Sequence, residues 1–176
     1  MRMRDGLLSA AIVLASTAAA LADYGIGTPA TPEEIAGWNI SIGRDGDNLP
    51  AGSGDTVAGA EVFEQRCSAC HGESGEGGIG DRLVGGQGTL SDERPIKTVG
   101  SYWPYATTLF DYIRRAMPLD SPQSLSADEV YAVSAYILML NGIVDEGTVL
   151  DADSLPAIEM PNRDGFVLDD RPDVGQ

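Results

Sequence analysis

The chain has one histidine and two cysteines, and all three fall within five residues, Cys67-Ser68-Ala69-Cys70-His71. Two thiols one helical turn apart can each add across a vinyl group of a porphyrin, and the residue that follows then offers its imidazole to the iron. The segment reads as the attachment motif of a covalent c-type haem. Competing chemistries lack the residues for it. A structural zinc site takes four ligands from Cys and His, and only these three exist. A thioredoxin-type dithiol needs a strand before it and a helix after it, whereas the residues before Cys67 follow a helical pattern and those after it are rich in glycine.

With a single histidine the second axial ligand must be something else, and a methionine thioether is the natural choice. Pro118 disfavours helical backbone at Met117, so Met117 is expected at a helix exit from which its flexible side chain turns inward. Met139 falls within a helical pattern and reads as core filler. Met160 also precedes a proline and is the alternative ligand, as is an open sixth position.

Three helices are expected to position these groups. Residues 57–66 place Gly59, Val62, Phe63 and Arg66 on one stripe that runs directly into the cysteine segment. A second helix is expected from Pro104, a favourable first-turn residue, to Ala116, with Leu109, Tyr112, Ile113 and Ala116 on one face. The third begins at Ser126, where Glu129 completes a capping box and Leu125 with Val130 makes a hydrophobic staple; Asn141-Gly142 ends it. Its buried stripe is Val130, Val133, Ile137 and Leu140. The glycine-rich connection from Gly72 to Trp103 can pass close to a flat macrocycle or be an ordinary mobile loop. Within and beside it, Arg82, Arg94, Tyr102 and Trp103 are candidates to wall the pocket or hydrogen-bond the haem propionates.

The first 22 residues read as an export signal: Arg2 and Arg4, an apolar run from Leu7 to Leu14, and the small-residue site Ala20-Leu21-Ala22. The apolar run is too short to span a bilayer, which takes about 20 residues, so a protein exported through the inner membrane to the periplasm, without a membrane anchor, is expected. The organisation expected is a signal peptide at 1–22, an irregular arm at 23–56, a haem domain at 57–144 and an acidic arm at 145–176. The 176 residues carry 27 acidic against 11 basic side chains, a net charge of −16. That balance excludes nucleic acid as an electrostatic partner and favours basic protein surfaces. The arms are the most acidic parts, with Trp38, Ile40, Leu155, Ile158, Phe166 and Val167 as hydrophobic anchors. Arg114 and Arg115 interrupt the acidity beside Met117, either for docking or to offset the helix dipole.

Cys67-x-x-Cys70-His71, the preceding helix with Gly59 and Phe63, the Met117-Pro118 pair and the last helix with Tyr136 together resemble the class I c-type cytochromes. The resemblance implies an all-α fold around one covalent haem c, with the first and last helices crossing at Gly59, Phe63 and Tyr136. It also implies an electron-transfer protein that makes no bonds itself. In that family a proline carbonyl after the glycine loop accepts the second N–H of the histidine. Here Gly80-Asp81-Arg82-Leu83 stands in its place, which leaves open the carbonyl that orients His71. The stretches Thr31 to Ile40, Leu83 to Gly86, Lys97 to Pro118 and Met160 to Phe166 resemble, more narrowly, the cytochrome subunit of bacterial sulfite and sulfane dehydrogenases. That implies a molybdopterin subunit as electron donor and a small soluble cytochrome as acceptor. The competing function is a haem enzyme or gas-binding protein with an open distal site, for which no second histidine is present to assist.

Overall fold

The structure is a computed structural model that describes residues 26–167, Asp169 and Arg171; the expected signal peptide lies outside the described residues. The chain divides at Asn39/Ile40 into two compact units. In the described part of the first, Pro32–Trp38 forms helix α1, with Thr31 and Glu34 as a complete capping box and Pro32 in the first turn. The N-terminal arm is therefore not irregular throughout. None of its helical residues is buried, and Trp38 is 88% exposed.

The second unit begins with a short strand, β1 (Ser53–Asp55), which leads straight into α2 (Thr56–Arg66). Asp55 caps α2 by accepting from the N–H groups of Val57 and Ala58. Helix α3 (Ser68–His71) follows after Cys67, then α4 (Ala106–Ala116) and α5 (Ala127–Leu140). Helix α4 starts two residues later than its proline suggests, because Tyr105 is held extended at φ −136°, ψ 133°, its ring covered by the Arg163 guanidinium 4.5 Å away. Helix α5 begins and ends as its caps dictate: Ser126 and Glu129 form the capping box, and Gly142 takes the left-handed φ of +68° that closes the helix. Among the described residues no helix is long and apolar enough to cross a membrane.

Helices α2 and α5 cross at Gly59. A Cβ there would lie 2.0 Å from the Ala132 carbonyl oxygen and 2.8 Å from Tyr136 Cβ. The Phe63 and Tyr136 rings pack one turn further on, 5.3 Å between centroids. Helix α5 is buried on more than the expected stripe, since Tyr131, Ala132, Ser134, Ala135 and Leu138 are buried beside Val130, Val133 and Ile137. Strand β1 covers that additional face through Gly54, whose Cβ would sit 2.4 Å from the Ala132 nitrogen. β1 pairs antiparallel with β2 (Val149–Asp151), Gly54 opposite Leu150, so the helical fold carries one short two-stranded sheet.

The limits expected at residues 57 and 144 do not bound the core. Leu150, Leu155 and Met160 are buried together with Phe63, Leu109, Phe110, Tyr131 and Leu138, and a 3-10 turn at Leu155–Ala157 carries the chain between the last two of the three. Leu155 is thus an anchor as expected, whereas Val167 is 90% exposed. From the other flank, Pro50 offers its carbonyl to the Tyr131 hydroxyl at 2.9 Å, and Ser53 N–H donates to Asp128 at 2.8 Å.

Burial, reinforced by the charge of Asp151, pushes the Tyr131 phenol up to about 12. Its neutral form is favoured in the folded chain, so this contribution to stability is whole below the ordinary tyrosine pKa, about 10, and is lost as pH rises through 12. Tyr131→Phe is expected to cost about 1 kcal/mol at pH 8 for the hydrogen bond and to flatten the fall in stability between pH 10 and 12. Urea unfolding at pH 8 and pH 11.5 tests this; equal losses in the two proteins between those pH values would refute it.

Candidate functional site

Helix α2 ends by delivering Cys67 to the fringe of the core. The Cys67 N–H still bonds the Phe63 carbonyl, and its backbone then turns to φ −125°, ψ −39°, opening the single helical turn of α3. Cys70 and His71 both donate their N–H to the Cys67 carbonyl, at 3.1 and 3.0 Å, which places the two thiols one turn apart. Both are free. Burial pushes the Cys67 thiol up to about 11, the opposite of the depressed value that a redox-active dithiol requires. Among the described residues no cluster of three or more His, Cys, Asp or Glu side chains could hold a metal ion.

The imidazole is fixed from one side. His71 Nδ1 lies 2.7 Å from the Asp81 carbonyl oxygen, a distance at which Nδ1–H donates and Nε2 is the nitrogen left for a ligand. The backbone of Asp81 answers the question left by the missing proline, since any residue supplies a carbonyl. The loop reaches this position through small residues. A Cβ on Gly80 would lie 2.9 Å from Cε1 and 3.0 Å from Nδ1 of the ring, so only glycine permits this approach.

The glycine-rich connection is a set of closed turns. Gly80 N–H bonds the Cys70 carbonyl, Gly77 N–H that of His71, and Leu83 and Val84 both bond that of Gly75. Hydrogen bonds from its own and the Ser74 backbone N–H hold the Glu76 carboxyl below the usual range. Further along, Asn141 at the end of α5 accepts from Gly85 N–H and donates to the carbonyls of Leu83 and Ile137. Thr98 and Ser101 bond the carbonyls of Gly85 and Ile96. Asn141 was legible as a helix stop but not as a tie between the loop and the last helix; no local pattern marks a contact between residues so far apart.

Met117 ends α4. Its N–H bonds the Ile113 carbonyl at 3.0 Å, and its own backbone is extended at φ −117°, ψ 148°. Cys67, Leu83, Trp103 and Met117 are all half-buried against the core. Met160, the alternative, is 3% exposed within the core itself, and Met139 is half-buried on α5.

The four candidate pocket residues separate. Trp103 packs edge-on against Tyr112 of α4, 5.8 Å between ring centroids, whereas Tyr112 is half exposed rather than buried on the helix face. Tyr102 serves the C-terminal segment: Phe166 packs on its ring, Asn162 donates to its carbonyl and the Lys97 ammonium lies 4.9 Å above it. Arg82 is exposed and donates its Nε–H to the Glu76 carbonyl at 3.1 Å. Arg94 is exposed, and no hydrogen bond among the described residues draws it toward His71 or Met117. Arg115 pairs with Asp111 and Arg114 bonds the Ile40 carbonyl, so both arginines beside Met117 are engaged within the fold.

Two free thiols one turn apart, an imidazole with one nitrogen committed to a carbonyl, and a thioether at a helix exit fit a covalently held haem. Comparison with known proteins agrees. Residues 54–137 match the family model described as cytochrome C oxidase, cbb3-type, subunit III. Among solved structures, the chain is similar to one in the crystal structure of the sulfane dehydrogenase SoxCD from Paracoccus pantotrophus. The identity is 44% over 85% of this chain and 74% of that one, with a TM-score of 0.79. No curated protein is significantly similar to it.

Proposed function

The chain belongs to the class I c-type cytochromes and resembles the cytochrome subunit of bacterial sulfite and sulfane dehydrogenases; from that premise we propose that it is a periplasmic electron-transfer subunit carrying a single haem c. Its electrons come from a molybdopterin subunit that oxidises the sulfur compound, and leave to a small soluble cytochrome. The observation that carries the haem reading is the bond from His71 Nδ1 to the Asp81 carbonyl, which leaves one imidazole nitrogen beside two free thiols. The likeness to a chain of SoxCD over most of both lengths supports the dehydrogenase partner.

In this reading Cys67 and Cys70 would hold the haem by thioether links, and His71 Nε2 and Met117 would ligate its iron. The group would supply reversible one-electron exchange, its potential raised by ligation from one methionine and one histidine. The protein contributes position and exclusion. Asp81 fixes the imidazole tautomer and ring plane, and the turns from Gly72 to Val84 hold Asp81 in place. Met117 would deny the iron to small molecules. The surplus of acidic side chains steers encounter with basic partners, a salt-dependent effect. Trp38, exposed on a fully capped helix, is an aromatic anchor of the kind that dominates interfaces.

The test is to express the chain with a molybdenum-containing dehydrogenase subunit in a host that attaches haem. One haem per chain by pyridine haemochrome, and co-elution of the subunits at low salt that Trp38→Ala weakens about tenfold or more, are expected. A colourless mature protein would overturn the haem reading. A red protein that never associates with the molybdenum subunit would overturn the partner.

A further inference from the structure

Residues 40–44 run along α4 and are laced to it at three points. The Ile40 carbonyl accepts from Arg114 Nη1 at 3.4 Å, the Ile42 N–H donates to Asp111 Oδ1 at 3.0 Å, and the Arg44 carbonyl accepts from Thr107 Oγ1 at 3.1 Å. Alternate residues of the segment thus meet Arg114, Asp111 and Thr107, which stand at i+7, i+4 and i on the helix, about one bond per helical turn. The segment runs antiparallel to α4. Asp111 is 8% exposed and Thr107 1%, so neither polar group has ready access to water in place of these partners, and an unmet buried group is costly. Asp111 also pairs with Arg115, two residues before Met117.

A helix already held by its apolar face has no need of a second, polar seam for solubility. Ala106, Leu109, Phe110 and Ile113 are buried against the core, and their packing resists movement of α4 in every direction. Three directional bonds at successive turns add a restraint on its slide along its own axis. Because Met117 is the residue on which α4 ends, the slide of the helix sets the reach of the thioether.

We propose that residues 40–44, laced to Thr107, Asp111 and Arg114, form a brace that holds Met117 at the sixth coordination position, with Thr107 and Asp111 as positioning residues. Residues 40–44 then belong to the machinery that keeps the distal face closed. This rests on the proposed ligation of the iron by His71 and Met117.

The test uses the full-length holoprotein and the variants Thr107→Val, Thr107→Ser, Asp111→Ala and Asp111→Asn. In Thr107→Val and Asp111→Ala the reduced protein is expected to bind carbon monoxide about tenfold faster than wild type, the effect of one or two lost hydrogen bonds on an opening equilibrium. Their thioether-to-ferric charge-transfer band should bleach on heating well before the far-ultraviolet helical signal falls. Thr107→Ser, which restores the hydroxyl, and Asp111→Asn, which keeps an acceptor for Ile42, should recover most of the difference.

Band and helix melting together, with carbon monoxide binding within twofold of wild type in Thr107→Val, would overturn the brace and leave these residues as ordinary packing. Failure of the Ser variant to recover what the Val variant loses would overturn it as well. If wild-type protein lacks the thioether band altogether, the ligation by Met117 fails first and the brace with it, which distinguishes the two.

Discussion

Met117→Ala is expected to abolish the near-infrared thioether-to-ferric band of the oxidised protein and to let the reduced protein bind carbon monoxide on mixing. The extended backbone at Met117 places the residue at the end of α4 and on the fringe of the core beside Cys67, Leu83 and Trp103, and alanine leaves that position without a donor. Losing a thioether from a His/Met pair also lowers the reduction potential, here by on the order of 0.1–0.2 V within the ~0.8 V that axial ligands command. The fold is expected to persist, since the side chain is only half-buried. Met139→Ala and Met160→Ala should keep the band, and Met160→Ala should instead cost about 2–5 kcal/mol as a deletion in the core. A band that survives in Met117→Ala transfers the ligand role to another methionine and removes the assignment to Met117.

Gly59→Ala carries the largest expected loss of stability from a single added methyl group. The new Cβ would stand 2.0 Å from the carbonyl oxygen of Ala132, a backbone atom in the middle of α5, so the two helices must separate to admit it. Alanine gains about 1 kcal/mol in helix propensity over glycine, while overpacking against backbone costs about 3 kcal/mol or more. A net destabilisation of roughly 2–4 kcal/mol follows, a large share of the 5–15 kcal/mol typical of a domain. Gly37→Ala is the control: this helical glycine has nothing within 4 Å of the added atom, and the substitution should be neutral or slightly stabilising. Thermal unfolding of both variants decides the matter. Equal melting temperatures would mean that the crossing tolerates separation and is not the tight contact described.

The parts of this molecule that were legible in its sequence are those written in local code. Ser126, Glu129 and Gly142 state the ends of α5 by capping chemistry that acts over three or four residues, and Gly59 with Phe63 states the buried face of α2. The haem motif was equally local, three residue types in five positions. What escaped was the burial of the flanks. Leu150, Leu155 and Met160 are spaced by five, which matches neither the period of a strand nor that of a helix, so of the three only Leu155 read as an anchor, on an arm outside the core, although each fills the core. On the other side, Thr107, Asp111 and Arg114 stand at helical spacing, a polar stripe that could have signalled a chain laid along α4. Without knowing what lies opposite, such a stripe is indistinguishable from a solvated face. Tyr102 and Trp103 show the same limit. Adjacent in sequence, one packs on the C-terminal segment and the other on α4, and nothing local separates them.

Strand β1 has no partner until β2 has been made, and the core lacks Leu155 and Met160 until the stretch well beyond the cysteines that carries them has been made. Contacts between such distant parts of a chain are slow to form, because the intervening polypeptide must first give up its freedom. The cysteine segment is therefore complete long before the structure that half-buries Cys67 can close around it. An enzyme that attached a haem to those sulfurs would meet pliant, accessible thiols for as long as the distant end lagged behind, so lateness of closure would itself keep the attachment chemistry open.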